Sequence, residues 1–324
     1  MESAVARSAA RPRIALATYR PEEGTTSADR DLPVLKGALE DAGARAGIVH
    51  WDDPAVDWAD FDLVVIRSTW DYSWRVAEFV AWAERVAKLT RLANPAAIVR
   101  WNTDKRYLGE LAGAGVPTVP TRYLAPGDPA DLPDGHEYVV KPTSGAGARL
   151  AARYRPEERE TALRHLARLH ERGLTAMVQP YLRGVDTSGE RALQFFGGRF
   201  LHAGRKGAVL EPGTAYDADK VPHPRMEVWQ PTPAELALAE RALAAVPHGP
   251  HGTDGPHGTD GPHGTDGPHG TDGDALLYAR VDVVDGDDGR PCVMELELVE
   301  PNLFLWLHPE SVPAVAEAVI RAAR

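Results

Sequence analysis

Arg280, Asp282, Glu295 and Glu297 fall in one short stretch of chain, inside segments that otherwise look like buried strand. "RVDVV" and "CVMELELVE" alternate apolar with charged residues, and the turn-like "DGDDG" joins them. The pattern predicts a β-hairpin. Alternate side chains of a strand share a face, so Asp282, Glu295 and Glu297 should converge there, with Glu300 just beyond. Clustered carboxylates repel one another unless a cation sits among them. Hard oxygen donors suit Mg²⁺, which also takes substrate phosphates as ligands. The plain alternative is the solvated side of an edge hairpin, where charged residues are usual.

Other stretches carry complementary chemistry. In "VVKPTSGAGA", Lys141 ends an apolar run and a loop with Ser144, Gly145 and Gly147 follows at once. Backbone N–H groups of such a loop can cradle phosphate, with the lysine as a point charge; an exposed hairpin turn would look the same. In "MVQPYLRGVDTSGE", Gln179, Tyr181 and Leu182 set amides beside apolar groups, which suits a purine edge and face, and Glu190 suits ribose hydroxyls or a metal; a hinge without ligand is the alternative. Arg205 and Lys206 end the run "HAGRK" and suit phosphate or a substrate carboxylate, although solvated surface charge also explains such a pair. "RSTWDY" follows an apolar strand, and ligands of open parallel sheets sit at strand C-terminal ends. Arg67, Ser68, Trp70, Asp71 and Tyr72 are therefore candidates for a substrate pocket, with packing beneath the next helix as the competing role for the two aromatic residues.

These residues need a scaffold. "RIALATY", "AGIVHW" and "FDLVVIRSTW" are strand-like. Between and after them, "ADRDLPVLKGALEDAG" sets Leu32, Leu35 and Leu39 at helical spacing before Gly43, and "RVAEFVAWAERVAKL" sets Phe79, Trp82, Val86 and Leu89 on one stripe. Strand–helix alternation predicts a parallel, Rossmann-like sheet ending near Asn94-Pro95. The next segment, "NTDKRYLGELAGAG", predicts one helix capped by Asn102 or Thr103 and carrying Lys105. Beyond it, "VPTVPTRYL", "EYVVKP", "TAMVQPYL" and a pair of strands about Gly197-Gly198 mix with helices at "RPEERETALRHLARLHERG", "TPAELALAERALAAV" and "SVPAVAEAVIRAAR". The class is α/β followed by α+β. "PHGTDG" recurs four times in tandem over 250–273; this composition cannot bury a core and predicts a flexible surface loop.

Composition bounds the role. The chain has 324 residues, 43% hydrophobic, with net charge −11. That length suits about two domains, and that charge argues against nucleic-acid or anionic-membrane partners. Cys292 is the single cysteine, so no intrachain disulfide forms and a reducing, cytoplasmic setting is expected. The first residues lack the apolar core of a secretory signal. No Walker-type P-loop is present, and Arg20-Pro21-Glu22 stand where a dinucleotide-binding glycine fingerprint would follow the first strand, which counts against a nicotinamide-dependent oxidoreductase.

The order of the motifs resembles the ATP-grasp superfamily. "NTDKRYLGELAGAGVPTVPT" and "YVVKPTSGAGA" look like the segments bearing its two nucleotide lysines and phosphate loop, "VQPYL" like its adenine hinge, and "ARVDVV…VMELE" like its metal-ligand strands. "VVIRSTWDYSWR", "HAGRK" and "ELELVEPNLFL" look most like the family of cycloserine-forming O-ureido-serine cyclo-ligases. The resemblance implies an ATP-grasp fold behind a Rossmann-like pre-ATP-grasp domain: 12–98 on the substrate side, then 99–324, with a lid lobe at about 119–182 and a metal and substrate lobe at about 183–324. It implies ATP held by Lys105 and Lys141, and Mg²⁺ (or Mn²⁺) held by Asp282, Glu295 and Glu297. A substrate carboxylate becomes an acyl phosphate, and a nitrogen nucleophile displaces phosphate while Arg280 with Arg205 or Lys206 holds the developing charge. Relatives are often homodimers. Glu297 stands where many relatives carry asparagine. A non-catalytic nucleotide- or metabolite-binding module on the same fold is the alternative.

Overall fold

The computed structural model describes residues 11–21, 29–218, 225–247 and 276–324. The PHGTDG array lies outside the described residues.

The first unit runs β1 (Arg13–Thr18), α1 (Asp31–Asp41), β2 (Arg45–His50), β3 (Leu63–Ile66), α2 (Val76–Val86) and β4 (Arg91–Ala93). Its strands form a parallel sheet of order β2-β1-β3-β4, as strand–helix alternation predicts. Leu32, Leu35 and Leu39 of α1 are buried, and Gly43 takes the left-handed conformation (φ 91°) that stops the helix. On the other face of the sheet, Phe79 stacks on Trp82 at 5.2 Å while Trp51 meets Phe79 edge-on. Leu89 does not share that stripe. The helix ends at Val86, and Leu89 is 55% exposed.

The next segment departs from expectation more usefully. It forms two helices, α3 (Ala96–Asn102) and α4 (Tyr107–Gly113), and Lys105 lies in the turn between them. Asn102 is no cap. Its amide donates to the Leu296 carbonyl (2.8 Å) and accepts from the Leu298 N–H (2.7 Å). Tertiary hydrogen bonds to a strand thus override the capping preference of asparagine.

A second, antiparallel sheet holds β5 (Arg122–Leu124), β6 (Tyr138–Pro142), β7 (Ala152–Tyr154) and β8 (Ala176–Pro180) in the order β5-β8-β6-β7, with α5 (Arg159–Glu171) packed on it. After a short α6 (Gly184–Thr187) come β9 (Glu190–Phe196), β10 (Arg199–Lys206), β11 (Met226–Trp229), α7 (Pro233–Ala244), β12 (Tyr278–Asp285), β13 (Pro291–Glu297) and α8 (Val312–Ala322). The third sheet has the order β11-β10-β9-β12-β13. Gly197 and Gly198 supply the two positive φ angles (53° and 75°) of the β9–β10 turn. Thr232 and Glu235 form a capping box at the start of α7, as an S/T-x-x-E pattern favours.

The first unit does not complete its core alone. The last helix, α8, returns to pack on α1, and Leu303, Leu305, Val315 and Val319 join Ile14, Leu35 and Leu63 in one cluster. Polar links fix the same junction. The Tyr278 hydroxyl lies within 3.0 Å of the carbonyl oxygens of Ile66, Ala93 and Val299. The hairpin is thereby anchored against the C-terminal ends of β3 and β4.

Candidate active site

The hairpin register pairs Arg280 with Glu297 and Asp282 with Glu295, and β10 sets Lys206 opposite Glu190. One sheet face therefore carries Glu190, Lys206, Arg280, Asp282, Glu295 and Glu297. They line a cavity of about 740 Å³ between the third sheet, the second sheet and the first unit.

The cations among the acids are the chain's own. Asp282 is fully buried and accepts from Arg280 Nε and Nη2, both at 2.8 Å, and from Lys206 Nζ at 2.5 Å. Arg280 also pairs with Glu297, Lys206 with Glu190, and Lys105 with Glu295 at 3.3 Å. Burial alone would raise Asp282, but Arg280 and Lys206 hold it well below the usual carboxylate range. Lys105 and Lys141 likewise outweigh burial at Glu295 and hold it down. Burial wins elsewhere: it lifts Glu297 to about 8, and Glu190 and Glu300 to about 7. Among the described residues, no three histidine, cysteine or acidic side chains form a ready metal site.

The lysines differ. Lys105 reaches the Gly145 carbonyl at 2.6 Å, and its backbone N–H donates to the Thr143 carbonyl. Ser144 donates to the Thr103 carbonyl at 2.8 Å, so the glycine loop is tied to the Lys105 turn. Burial pulls Lys105 down, yet Glu295 reverses the shift, and the net direction is up. Lys141 lines the cavity with no carboxylate within 4 Å among the described residues; burial lowers it, Glu295 opposing. Gly145 and Gly147 complete that wall, Gly147 at φ 62°.

At the far end, Gln179, Tyr181 and Leu182 line the cavity. Gln179 donates to Thr121 Oγ1 at 2.9 Å and the Tyr181 hydroxyl to Asp186 at 2.5 Å, which fixes both side chains. Of the "RSTWDY" residues, Trp70 and Tyr72 reach the cavity. Arg67 is buried, donating to the Pro301 carbonyl at 2.8 Å. Ser68 bonds Thr18, and Asp71 accepts from Trp51 and Arg75; neither lines the cavity. Arg205 is a correction. Strand alternation turns it away from Lys206, and it pairs with Glu227 beside Trp229 outside the cavity. Sequence reasoning assigned no role to Glu300, Asp31, Trp306 or Arg149, which all line the cavity. Glu300 was flagged only as an acid of the hairpin stretch; the others come from loops and helix starts that share no strand register with it.

The lifted acids carry a pH prediction. A carboxylate whose folded pKa lies above its unfolded value binds more protons folded than unfolded, so stability falls as pH rises through that window. For Glu297 the window runs from about 4.5 to about 8. His202, lowered to about 4, acts in the opposite sense only below about 6.5. Thermal melts of the ligand-free protein should therefore fall between pH 6.5 and 8.5, and Glu297→Gln should flatten that fall. Parallel slopes for both proteins would refute the assignment.

Comparison with known proteins decides the family. The model of the D-cycloserine synthetase DcsG N-terminal domain matches residues 14–94. A cycloserine biosynthesis protein, DcsG of Streptomyces lavendulae, is 39% identical over 305 residues, covering 90% of this chain and 93% of that protein. This chain belongs to the DcsG family. The crystal structure of D-cycloserine synthetase DcsG superposes with TM-score 0.80 at 36% identity, over 96% of this chain and 100% of that one. A D-alanine–D-alanine ligase from Bacillus anthracis complexed with ATP shares the fold (TM-score 0.61, 15% identity, 96% and 97% covered). The DcsG-family chain thus has the ATP-grasp fold, and it is an ADP-forming ligase that makes a C–N bond. Among the described residues no helix is long and apolar enough to cross a membrane.

Proposed function

We propose that this enzyme forms D-cycloserine or a near analogue by closing a ring within one serine-derived amino acid, the nitrogen on the side-chain oxygen attacking the ATP-activated carboxyl. The observation that carries the reading is the cavity itself. It joins a lysine-and-glycine phosphate wall to the Arg280–Glu297 row, and Trp70 and Tyr72 of the first unit bound it. We take 12–98 as the substrate-side unit, 99–324 as the ATP-grasp unit, and the setting as cytoplasmic.

ATP lies with its adenine against Gln179, Tyr181 and Leu182 and its phosphates toward Lys105, Lys141 and the Ser144–Gly147 loop. Glu190 is placed for the ribose. Mg²⁺ accompanying ATP fits Glu295 and Glu297, partly exposed carboxylates on the cavity wall. It fits Asp282 less well, because Oδ1 already accepts from Arg280 and Oδ2 from both Arg280 and Lys206. Mn²⁺ suits the same donors. When bound, the ion neutralises phosphate charge. Among the described residues the buried Nη1 of Arg280 has no hydrogen-bond partner, a donor left for the substrate carboxylate or the charge developing on it. Lys206, on β10 with β9 between it and β12, supports Arg280 through their shared partner Asp282. Positioning and charge neutralisation supply most of the acceleration.

The test is to supply O-ureido-D-serine with ATP and Mg²⁺ and to measure ADP together with the mass of the product. Substrate-dependent ADP release with a cyclised product supports the reading. ADP release only when a separate amine is added would replace cyclisation with two-substrate ligation. Lys141→Ala, which removes a cavity lysine with no carboxylate within 4 Å among the described residues, should raise KM for ATP or lower turnover by about tenfold or more while shifting stability by less than about 0.5 kcal/mol. Unchanged kinetics would leave Lys141 a lining residue of the cavity with no part in binding ATP.

A further inference from the structure

We propose that Glu300 is the general base that accepts the proton of the attacking nitrogen, an assignment that rests on the acyl-phosphate reading above. Six carboxylates line the cavity. Glu190, Asp282, Glu295 and Glu297 each pair with a lysine or arginine. Asp31 is consumed by backbone, accepting from the N–H groups of Leu303 (2.9 Å), Phe304 (2.8 Å) and Trp306 (3.3 Å). Glu300 alone of the six has neither a cation within 4 Å nor a backbone donor among the described residues. It is 8% exposed, and the Tyr72 phenol faces it.

Its backbone is held firmly for such a task. Arg67 donates to the carbonyl of Pro301, Gln194 donates to that of Asn302 at 2.6 Å, and Asp31 gathers the next N–H groups. Three buried polar side chains thus fix a loop that would otherwise be free to shift, and a catalytic carboxylate needs this kind of support. Arg67, a sequence candidate for binding substrate, becomes a positioning residue.

The electrostatic setting agrees. Burial lifts Glu300 to about 7, with Lys105 and Arg280 opposing and Glu295 adding to the lift. A base with that pKa is ionised enough near neutrality to work and strong enough to take a proton. In the step, the nitrogen lone pair forms the C–N bond to the carboxyl carbon. The bond from that carbon to the phosphate oxygen breaks and inorganic phosphate departs. The proton left on nitrogen passes to the Glu300 carboxylate, which later returns it to solvent; with O-ureido-D-serine the ring nitrogen still carries its carbamoyl group, which water removes as carbamic acid to leave the free ring.

The test separates this step from carboxyl activation. Parent and Glu300→Gln are assayed with O-ureido-D-serine, ATP and Mg²⁺, with and without hydroxylamine, a nucleophile basic enough to trap an acyl phosphate unaided. Glu300→Gln should lose cyclised product by about 100-fold or more, keep hydroxylamine-dependent ADP release and hydroxamate formation within about threefold of parent, and lose the acid limb of the pH–rate profile. If cyclisation persists at the parent rate, Glu300 is not the base. If hydroxamate falls in step with product, the residue serves activation or folding instead. A rise in KM at unchanged kcat would make it a binder of the substrate ammonium and overturn the proposal. Absence of hydroxamate with the parent enzyme would count against the acyl-phosphate reading itself, apart from Glu300.

Discussion

Asp282→Asn should destabilise the ligand-free protein by about 3 kcal/mol or more, the cost of leaving buried charge without its counter-ion. Arg280 and Lys206 are 2% and 3% exposed, and Asp282 is bonded to both. After the change the Arg280 guanidinium and the Lys206 ammonium face each other with, among the described residues, Glu297 and Glu190 to balance them, and burial holds both of those acids partly protonated near neutrality. Repulsion among the hairpin acids taken alone would predict the reverse, a gain in stability from removing one charge. The register reverses that sign, because Arg280 and Lys206 occupy the space between the carboxylates. Urea midpoints for parent, Asp282→Asn, Lys206→Met and the double variant provide the measurement. A double variant markedly more stable than the sum of the single changes supports the ion-pair account; a midpoint for Asp282→Asn equal to the parent's would end it.

Glu295→Gln should lower turnover by about 100-fold or more and displace the Mg²⁺ requirement to higher concentration. Its side chain is 23% exposed at the cavity wall, and its carboxylate is kept ionised by Lys105 and Lys141. Glutamine preserves shape but removes the charge that a hard cation needs. Stability should fall as well, because Glu295 is the carboxylate paired with the buried Lys105, so turnover is compared at equal folded fraction. Turnover measured against Mg²⁺ and Mn²⁺ concentration distinguishes the readings. Partial recovery at high metal supports direct ligation. Superimposable parent and variant curves would remove Glu295 from the metal site.

What the sequence determined by itself was set by local periodicity. The alternation in "RVDVV" and "CVMELELVE" is enough to dictate which side chains share a face, because side-chain direction on a strand repeats every two residues. The parallel first sheet, the Gly197-Gly198 turn and the capping box of α7 follow from equally local rules. Arg205 shows the limit of motif reading: two adjacent cations were treated as equals, yet adjacent strand positions point to opposite sides, and only Lys206 enters the cavity. What lay beyond any local rule depended on contacts between distant segments. Asn102 was diverted from capping by β13, Asp31 was drawn to the loop after β13, and Glu300 was left facing Tyr72 with no cation within 4 Å among the described residues. Each outcome rests on which polar groups were already satisfied once the chain had closed on itself. Hydrogen-bond capacity is allotted by three-dimensional proximity, and no spacing along the chain records it.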